Sequence, residues 1–393
     1  MNIPKVQDAI QKQGVDGWLL YDFRNRDPLA LKIMGMDPKK YSSRRWYYFV
    51  PAAGEPVKLV SMVEQTMLDH LPGNKLTYRT WKALHQQIKK MLGAAKTVAM
   101  NYSPMNNIPY VAMVDAGTVE LVRSLGFEVV SAADLIQQFE AVIDDKGFKS
   151  HSDAGEIVLQ IKDEAFAKIT ESIRTETPLS EYELQQYIMQ RFEQEGLTCE
   201  GHGPIVGINE HPANPHFEPK KEISYIFKPG DTVLIDLWAK QTIPGSIYYD
   251  VTWCGYVGKN PPAKYVEIFN TVRDARKAAT QFVVDRFDAG EPCYGWEVDD
   301  VCRAVVQKAG YGDYFVHRTG HSIGENVHGN GANIDNMETK DERTLVPGLC
   351  FSIEPGIYLE GEMAARSEID VCVLPDGEVK VFGDQQEDLI LVG

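Results

Sequence analysis

The chain has 393 residues, of which 44% are hydrophobic and 24% charged, and its formal net charge is -16. That length and apolar content imply more than one sizeable core, hence two domains rather than one. The acidic balance argues against a nucleic-acid or anionic-membrane partner, since each demands a Lys/Arg footprint that no segment supplies.

Six cysteines (Cys199, Cys254, Cys293, Cys302, Cys350, Cys372) are scattered without a CxxC pair. The spacing indicates neither a disulfide framework nor a thiolate zinc site, and buried thiols are expected. The first residues lack an apolar core of signal-peptide length, and no uncharged run is long enough to span a bilayer. A soluble, cytoplasmic protein is the expectation.

In chain order, residues 4–12 have helical spacing and stop at Gly14; "GWLLYDF" reads as a strand; "RRWYYFV" and "VKLVSMV" flank the turn "PAAGEP" as a hairpin. "TWKALHQQIKKML" is helix-like, "TVAMNY" extended, "VAMVDAGTVELVRSLG" helical, and "FEVVSAADLI" a strand entering a helix. Residues 1–150 thus read as a mixed α/β domain with no His/Asp/Glu cluster and no glycine-rich phosphate loop. From residue 151 to 393 the texture changes. Two long helical patterns, the second opened by the capping box of Ser180 with Glu183 and ended at Gly196, lead into glycine-rich loops and strands. The order then recurs: helices over residues 263–287 and 296–308, a loop "RTGHSIGENVHG", and strands.

The recurrence has a fixed period. Asp236 in "VLIDLWAK" and Glu354 in "CFSIEPGIYL" are 118 positions apart, as are Asp250 in "YYDVTWCGYVG" and Glu368 in "RSEIDVCVL". His202 and His321, in the preceding loops, differ by 119. Two halves of similar layout are fused.

A carboxylate inside an apolar strand is costly unless it is paired or bound to a cation. Each of the four acids is expected mid-strand. Buried ion pairs are the competing account, but apart from Lys240 at the end of the first segment only Arg366 lies in these segments. Paired strands bring Asp236 to Asp250 and Glu354 to Glu368. Two divalent ions neutralise four such charges, where one leaves two uncompensated. His321 suits a further ligand. No regular element brings His321 and His328, seven positions apart, to one ion, so His328 is left to face substrate. Period-two alternation puts Arg366, Glu368, Asp370 and Cys372 on one face, so that Arg366 orients a ligand carboxylate or reaches a substrate carboxylate. Thr252 shares a face with Asp250, which sets a hydroxyl near the ligands or merely reflects β propensity.

The ordered set Asp236, Asp250, His321, Glu354, Glu368 on a duplicated half resembles the dinuclear metallopeptidases of the pita-bread fold: methionine aminopeptidase, prolidase and aminopeptidase P. The likeness covers about residues 150–390, and the α/β segment before it is similar to the creatinase-like N-terminal domain of the prolidase and aminopeptidase P branch. The resemblance implies an α/β (α+β) fold, a creatinase-like domain followed by a pseudo-duplicated pita-bread domain. It makes those five residues the metal ligands, with Glu354 also the general base and His328 holding the substrate carbonyl. His216 in "NPHF" would contact substrate, with His211 as the nearby alternative, and Arg366 matches the arginine two before the last glutamate. It further implies two divalent ions, Mn foremost with Co, Zn or Fe as alternatives, a small peptide substrate and a homodimer. The implied reaction is hydrolysis of Xaa-Pro bonds by a metal-bridging hydroxide, as dipeptidase or aminopeptidase. A same-fold hydrolase without metal or with a non-proline or non-peptide substrate such as an organophosphate, and a non-enzymatic binding descendant, are the rival expectations. The sequence departs from the family at Gly329, where an acid commonly follows the second histidine, at Trp253, where a basic residue is commoner, and in a longer Asp236–Asp250 interval.

Overall fold

The computed structural model describes residues 1–37, 39–201 and 203–393, so His202 lies outside the described residues. Chain contacts divide it into two compact units, Met1–Glu140 and Ala141–Gly393.

The first unit opens with α1 (Ile3–Gln13), begun by Asn2, whose side chain accepts from the Lys5 N–H, and closed by Gly14 at φ 72°. Next come β1 (Gly17–Asp22), α2 (Pro28–Ile33), β2 (Trp46–Pro51), β3 (Val57–Ser61), β4 (Asn74–Tyr78), α3 (Trp81–Leu92), β5 (Thr97–Met100), α4 (Ala116–Ser124), β6 (Glu128–Ser131) and α5 (Ala133–Ile136). The strands form one mixed sheet in the order β4-β3-β2-β1-β5-β6. β1 is buried along its whole length. Alternation sends Trp18 and Leu20 to a core shared with Val6 and Ile10 of α1, and Leu19 and Tyr21 to a second core with Leu84 and Ile88 of α3. The helical pattern expected over "VAMVDAGTVELVRSLG" is shorter than the sequence suggests. Asp115 accepts from the Thr118 N–H and starts α4 there, while residues 109–111 form a 3-10 turn.

The second unit runs α6 (Asp145–Thr175), α7 (Glu181–Gln194), β7 (Leu197–Thr198), β8 (Ile205–Ile208), β9 (Thr232–Gln241), β10 (Tyr249–Val257), α8 (Ala263–Asp288), α9 (Gly295–Lys308), β11 (Ser322–Ile323), β12 (Cys350–Ile353), β13 (Gly356–Leu359), β14 (Met363–Arg366), β15 (Ile369–Val373), β16 (Val379–Val381) and β17 (Ile390–Val392). Both Ser180 and Glu183 make their capping-box bonds at the start of α7. The helix pair α6 and α7 covers β9 and β10 through one core (Val158, Ile188, Ile235, Val251), and α8 and α9 cover β12 and β15 through another (Val272, Val298, Phe351, Val371). Two larger sheets result, β17-β10-β9-β7 with β8 also on β9, and β11-β12-β15-β16, beside a two-stranded β13-β14 ribbon. The repeat is imperfect at the edge, since β17 joins β10 in parallel whereas β16 joins β15 antiparallel.

Glu354 and Glu368 are not mid-strand as expected. β12 stops at Ile353 and β15 begins at Ile369, so both glutamates stand in breaks between strands. Pro355 has no N–H for a continuing ladder. Its carbonyl instead accepts from Ser367 N, 3.3 Å away, while Glu354 N donates to Thr319 O at 2.7 Å and Glu368 N to Thr252 O at 3.4 Å.

Candidate metal centre

β9 and β10 pair so that Asp236 stands opposite Thr252 and Asp250 opposite Trp238. All four side chains therefore share one face, with the two aspartates on adjacent same-face rungs. Glu354 and Glu368 approach from the second sheet, and His321 comes from the loop ahead of β11. The ligand atoms of Asp250, His321 and Glu368 lie within 4.8 Å of one another. His321 Nε2 is 3.3 Å from Glu354 Oε1 and 3.7 Å from Asp250 Oδ2. The five candidate ligands thus converge on one cavity of about 630 Å³.

The polar framework holds these groups at both ends. Arg366 donates through Nη2 to Asp236 Oδ2 and through Nε to Thr252 Oγ1 at 2.9 Å, and that hydroxyl donates to Glu368 Oε2 at 2.6 Å. Of the two roles expected for Arg366, the contacts are those of orienting ligand carboxylates. The backbone N–H of Asp250 is held by Asp370 Oδ2 at 2.8 Å. Ser352 Oγ accepts from His321 N at 3.0 Å and donates to Glu354 Oε1 at 3.1 Å. Farther out, Tyr358 hydroxyl joins Arg366 Nη1 at 3.3 Å to His317 Nε2 at 2.7 Å, and Asp299 pins the histidine loop through Thr319 N at 3.0 Å.

Electrostatics make the site a cation receptor. Arg366 is the only Lys or Arg among the described residues lining the cavity, against the four candidate ligand carboxylates and two further acids, Glu200 and Glu218. Burial, and then repulsion from Glu368 and Asp236, raises Asp250 well above the usual carboxylate range. Burial followed by Glu354 and Asp236 does the same to Glu368, and burial pushes Glu354 up to about 7. Asp236 Oδ1 and Asp250 Oδ1 are buried with no hydrogen-bond partner. His321 is neutral, since burial and then His328 and Arg318 drive its pKa well below the ordinary value. Its Nδ1 lies 3.2 Å from Ser322 O, an acceptor, so the proton sits on Nδ1 and the Nε2 lone pair faces the carboxylates. Orphaned oxygens, an unprotonated imidazole nitrogen and an excess of negative charge all fit divalent cations and leave an ion-pair account short of partners.

His328 stands edge-on to His321 with ring centroids 4.3 Å apart and lines the same cavity. Withdrawal of water by the surrounding protein, then Arg318 and His216, push its pKa down to about 4. His216 also lines the cavity. His211 is engaged elsewhere, stacked between Phe217 and Tyr225 with Nδ1 2.8 Å from Glu181 Oε1. Trp253 points away from the cavity, toward α6, where Lys162 Nζ lies 3.7 Å from its ring centre. Gly329 donates to Ser322 O, and a Cβ there would stand 2.8 Å from Ser322 Oγ. The missing acid is thus a matter of backbone packing. Sequence reasoning assigned no role to Asp370, Ser352, Tyr358 or His317. The period-two placement of Asp370 after Glu368 and of Ser352 before Glu354 was the available signal.

Residues 152–375 match the pattern of metallopeptidase family M24. The chain belongs to that family. Among M24 relatives, it is 34% identical to the Xaa-Pro dipeptidase of Lactobacillus helveticus over 199 residues, 51% of this chain and 49% of that one. It is 30% identical to the putative dipeptidase YkvY of Bacillus subtilis over 268 residues, 68% and 67% of the two chains. This chain therefore spans about half the length of the first relative and about two thirds of the second. The crystal structure of dipeptidase PepE from Mycobacterium ulcerans superposes with TM-score 0.71 at 23% identity, over 99% of this chain and 96% of that one. The expected pita-bread fold class holds over nearly the whole M24 chain.

Proposed function

We propose that this M24 chain is a dinuclear-metal Xaa-Pro peptidase, acting on dipeptides in preference to longer peptides. The observation that carries the metal assignment is the convergence of Asp236, Asp250, His321, Glu354 and Glu368 on one cavity with a single compensating arginine. Support for the bond cleaved comes from the Xaa-Pro dipeptidase relative. Two divalent ions held by the five residues would polarise the scissile carbonyl and lower the pKa of a water to near neutrality.

The chain's own groups then have distinct tasks. Glu354 accepts a proton from the attacking water as the new C–O bond forms, and returns it to the imino nitrogen as the C–N bond breaks. His328, neutral at working pH, donates an N–H to the oxygen that gains charge. His216 holds the substrate in the cavity, and Arg366 with Thr252 keeps Asp236 and Glu368 in place. The same proposal takes residues 1–150 as the creatinase-like domain, Mn as the working ion, a homodimer as the assembly and the cytoplasm as the location. Acidic oxygen-rich ligands suit Mn, and the six unpaired cysteines suit a reducing compartment.

Chelator-stripped protein reloaded separately with Mn, Co, Zn or Fe would be assayed on Ala-Pro, Ala-Ala and Ala-Pro-Ala. The proposal expects metal-dependent cleavage with kcat/KM highest for Ala-Pro. Equal values for Ala-Pro and Ala-Ala would reject proline specificity, and faster cleavage of Ala-Pro-Ala would make the protein an aminopeptidase.

A further inference from the structure

β12 and β15 carry a ladder of same-face pairs that starts at the candidate centre. Beyond Glu354 and Glu368 comes Ser352 opposite Asp370, and beyond that Cys350 opposite Cys372. Same-face rungs are about 7 Å apart, so the thiol pair stands roughly 14 Å behind the carboxylates. Both cysteines are free and fully buried, with sulfurs 2.9 Å apart. His151 of α6, also fully buried, faces them, and one of its ring nitrogens and the two sulfurs all lie within 4.8 Å of one another.

The histidine is set for ligation. Its Nδ1 is 2.6 Å from Tyr248 O, which can only accept, so Nδ1 carries the proton and Nε2 presents a lone pair. That Nε2 has no hydrogen-bond partner, and neither does the buried Oδ1 of Asp370. Tyr249 and Phe382 wall the imidazole at 5.0 and 5.5 Å between ring centroids. It is the arrangement seen at His321, with the donor oxygens replaced by sulfur.

We infer that His151 Nε2, Cys350 Sγ and Cys372 Sγ form a second metal site, for a thiophilic divalent cation of the zinc type. On binding, each thiol loses its proton to solvent and two metal–sulfur bonds and one metal–nitrogen bond form, with no change of oxidation state. The charge balances, since two thiolates neutralise one divalent ion, which suits a pocket that no lysine or arginine ion pair serves among the described residues. Two sulfurs on one tetrahedral zinc lie roughly 3.7 Å apart, so the pair opens by just under about 1 Å. A disulfide between the same cysteines would leave the lone pair of Nε2 orphaned, whereas the ion uses it. Soft donors here and oxygen donors at the cavity sort different metals to the two sites. Asp370 couples them: its Oδ2 lies 3.9 Å from His151 Nε2 and also holds the Asp250 N–H. The absence of a CxxC pair misleads at this point because the two cysteines meet across strands, 22 positions apart.

Cobalt(II) is the probe. Sulfur-to-cobalt charge-transfer absorption reports thiolate ligation alone; the five cavity ligands offer only oxygen and nitrogen, and Cys199, a thiol that also lines that cavity, is told apart by the Cys372→Ser variant. The reduced, chelator-stripped full chain should develop this band to one sulfur-bound ion per chain. The band should vanish in Cys372→Ser, weaken in His151→Gln and persist in Glu368→Ala, so that failure of the peptidase reading leaves this test intact. X-ray absorption of the wild-type zinc-loaded protein should show a sulfur shell, a measurement that needs no variant to fold. No band and no sulfur shell, a band that survives Cys372→Ser, or recovery of Cys350 and Cys372 as a disulfide from reduced protein each overturn the inference.

Discussion

Arg366 is almost wholly buried, and its guanidinium serves Asp236 directly and Glu368 through Thr252. Removing one partner of a buried charge pair leaves the other uncompensated, at about 3–5 kcal/mol. Arg366→Ala should therefore lower the stability of the metal-free protein by that order in urea unfolding. Arg366→Lys should recover part of it, since an ammonium keeps the charge and loses the fork. Thr252→Val removes a relay hydroxyl at constant shape and should weaken metal affinity about 10–100-fold, measured by competition with a chelator, while Thr252→Ser should not. The two histidines separate cleanly in the same assay. His328→Ala should keep the metal and lose about 10²–10³ in kcat, and His321→Ala should lose the metal. Equal metal loss in both variants would place both rings on the ions.

At the level of elements, the strands that carry the acids were readable because an acid within an apolar run has so few affordable explanations. Asp236 and Asp250 needed only alternation and a hairpin. The breaks at Glu354 and Glu368 were not readable, since they depend on Thr319 and Thr252 accepting the amide hydrogens across long separations. Alternation put Asp370 on the face of Glu368, but its role was hidden for the same reason: its partner is a backbone N–H 120 positions away. Choosing between His216 and His211 required knowing that Glu181, 30 residues earlier, claims the latter. Gly329 illustrates the converse, a residue that looked like a change of substrate chemistry and is fixed by a close backbone approach. Gly329→Glu, which restores the acid common in related sequences, should therefore destabilise the loop by about 1–3 kcal/mol and lower kcat/KM. A gain in activity without loss of Tm would contradict that reading.

For the whole molecule, the raised carboxylates set the pH dependence of folding. In the metal-free chain Glu354 moves from an ordinary 4.5 up to about 7, and Asp370 from 3.8 to about 7. Between those values the unfolded chain has released these protons and the folded chain still holds them, so the folded state binds more protons and stability falls as pH rises. Thermal melts of stripped protein should show Tm decreasing from about pH 4.5 to 7, where one fully retained proton is worth about 1.4 kcal/mol per pH unit. With divalent ions present the slope should reverse, because the ions bind the ionised carboxylates. An unchanged slope on metal addition would mean that the ions bind elsewhere.

Thr252 and Asp250 on β10 meet Glu368, just ahead of β15, and Asp370 on β15 across separations of 116 and 120 residues. Contacts between such distant segments are costly in loop-closure entropy and form late. Neither half of the second unit carries the full candidate ligand set alone, so under the proposed function a chain that has folded only its first half would have no means of cutting peptides. In a growing or damaged molecule, hydrolytic competence would be switched on by the closing of the last long-range contact, which makes catalysis itself a reporter of complete folding.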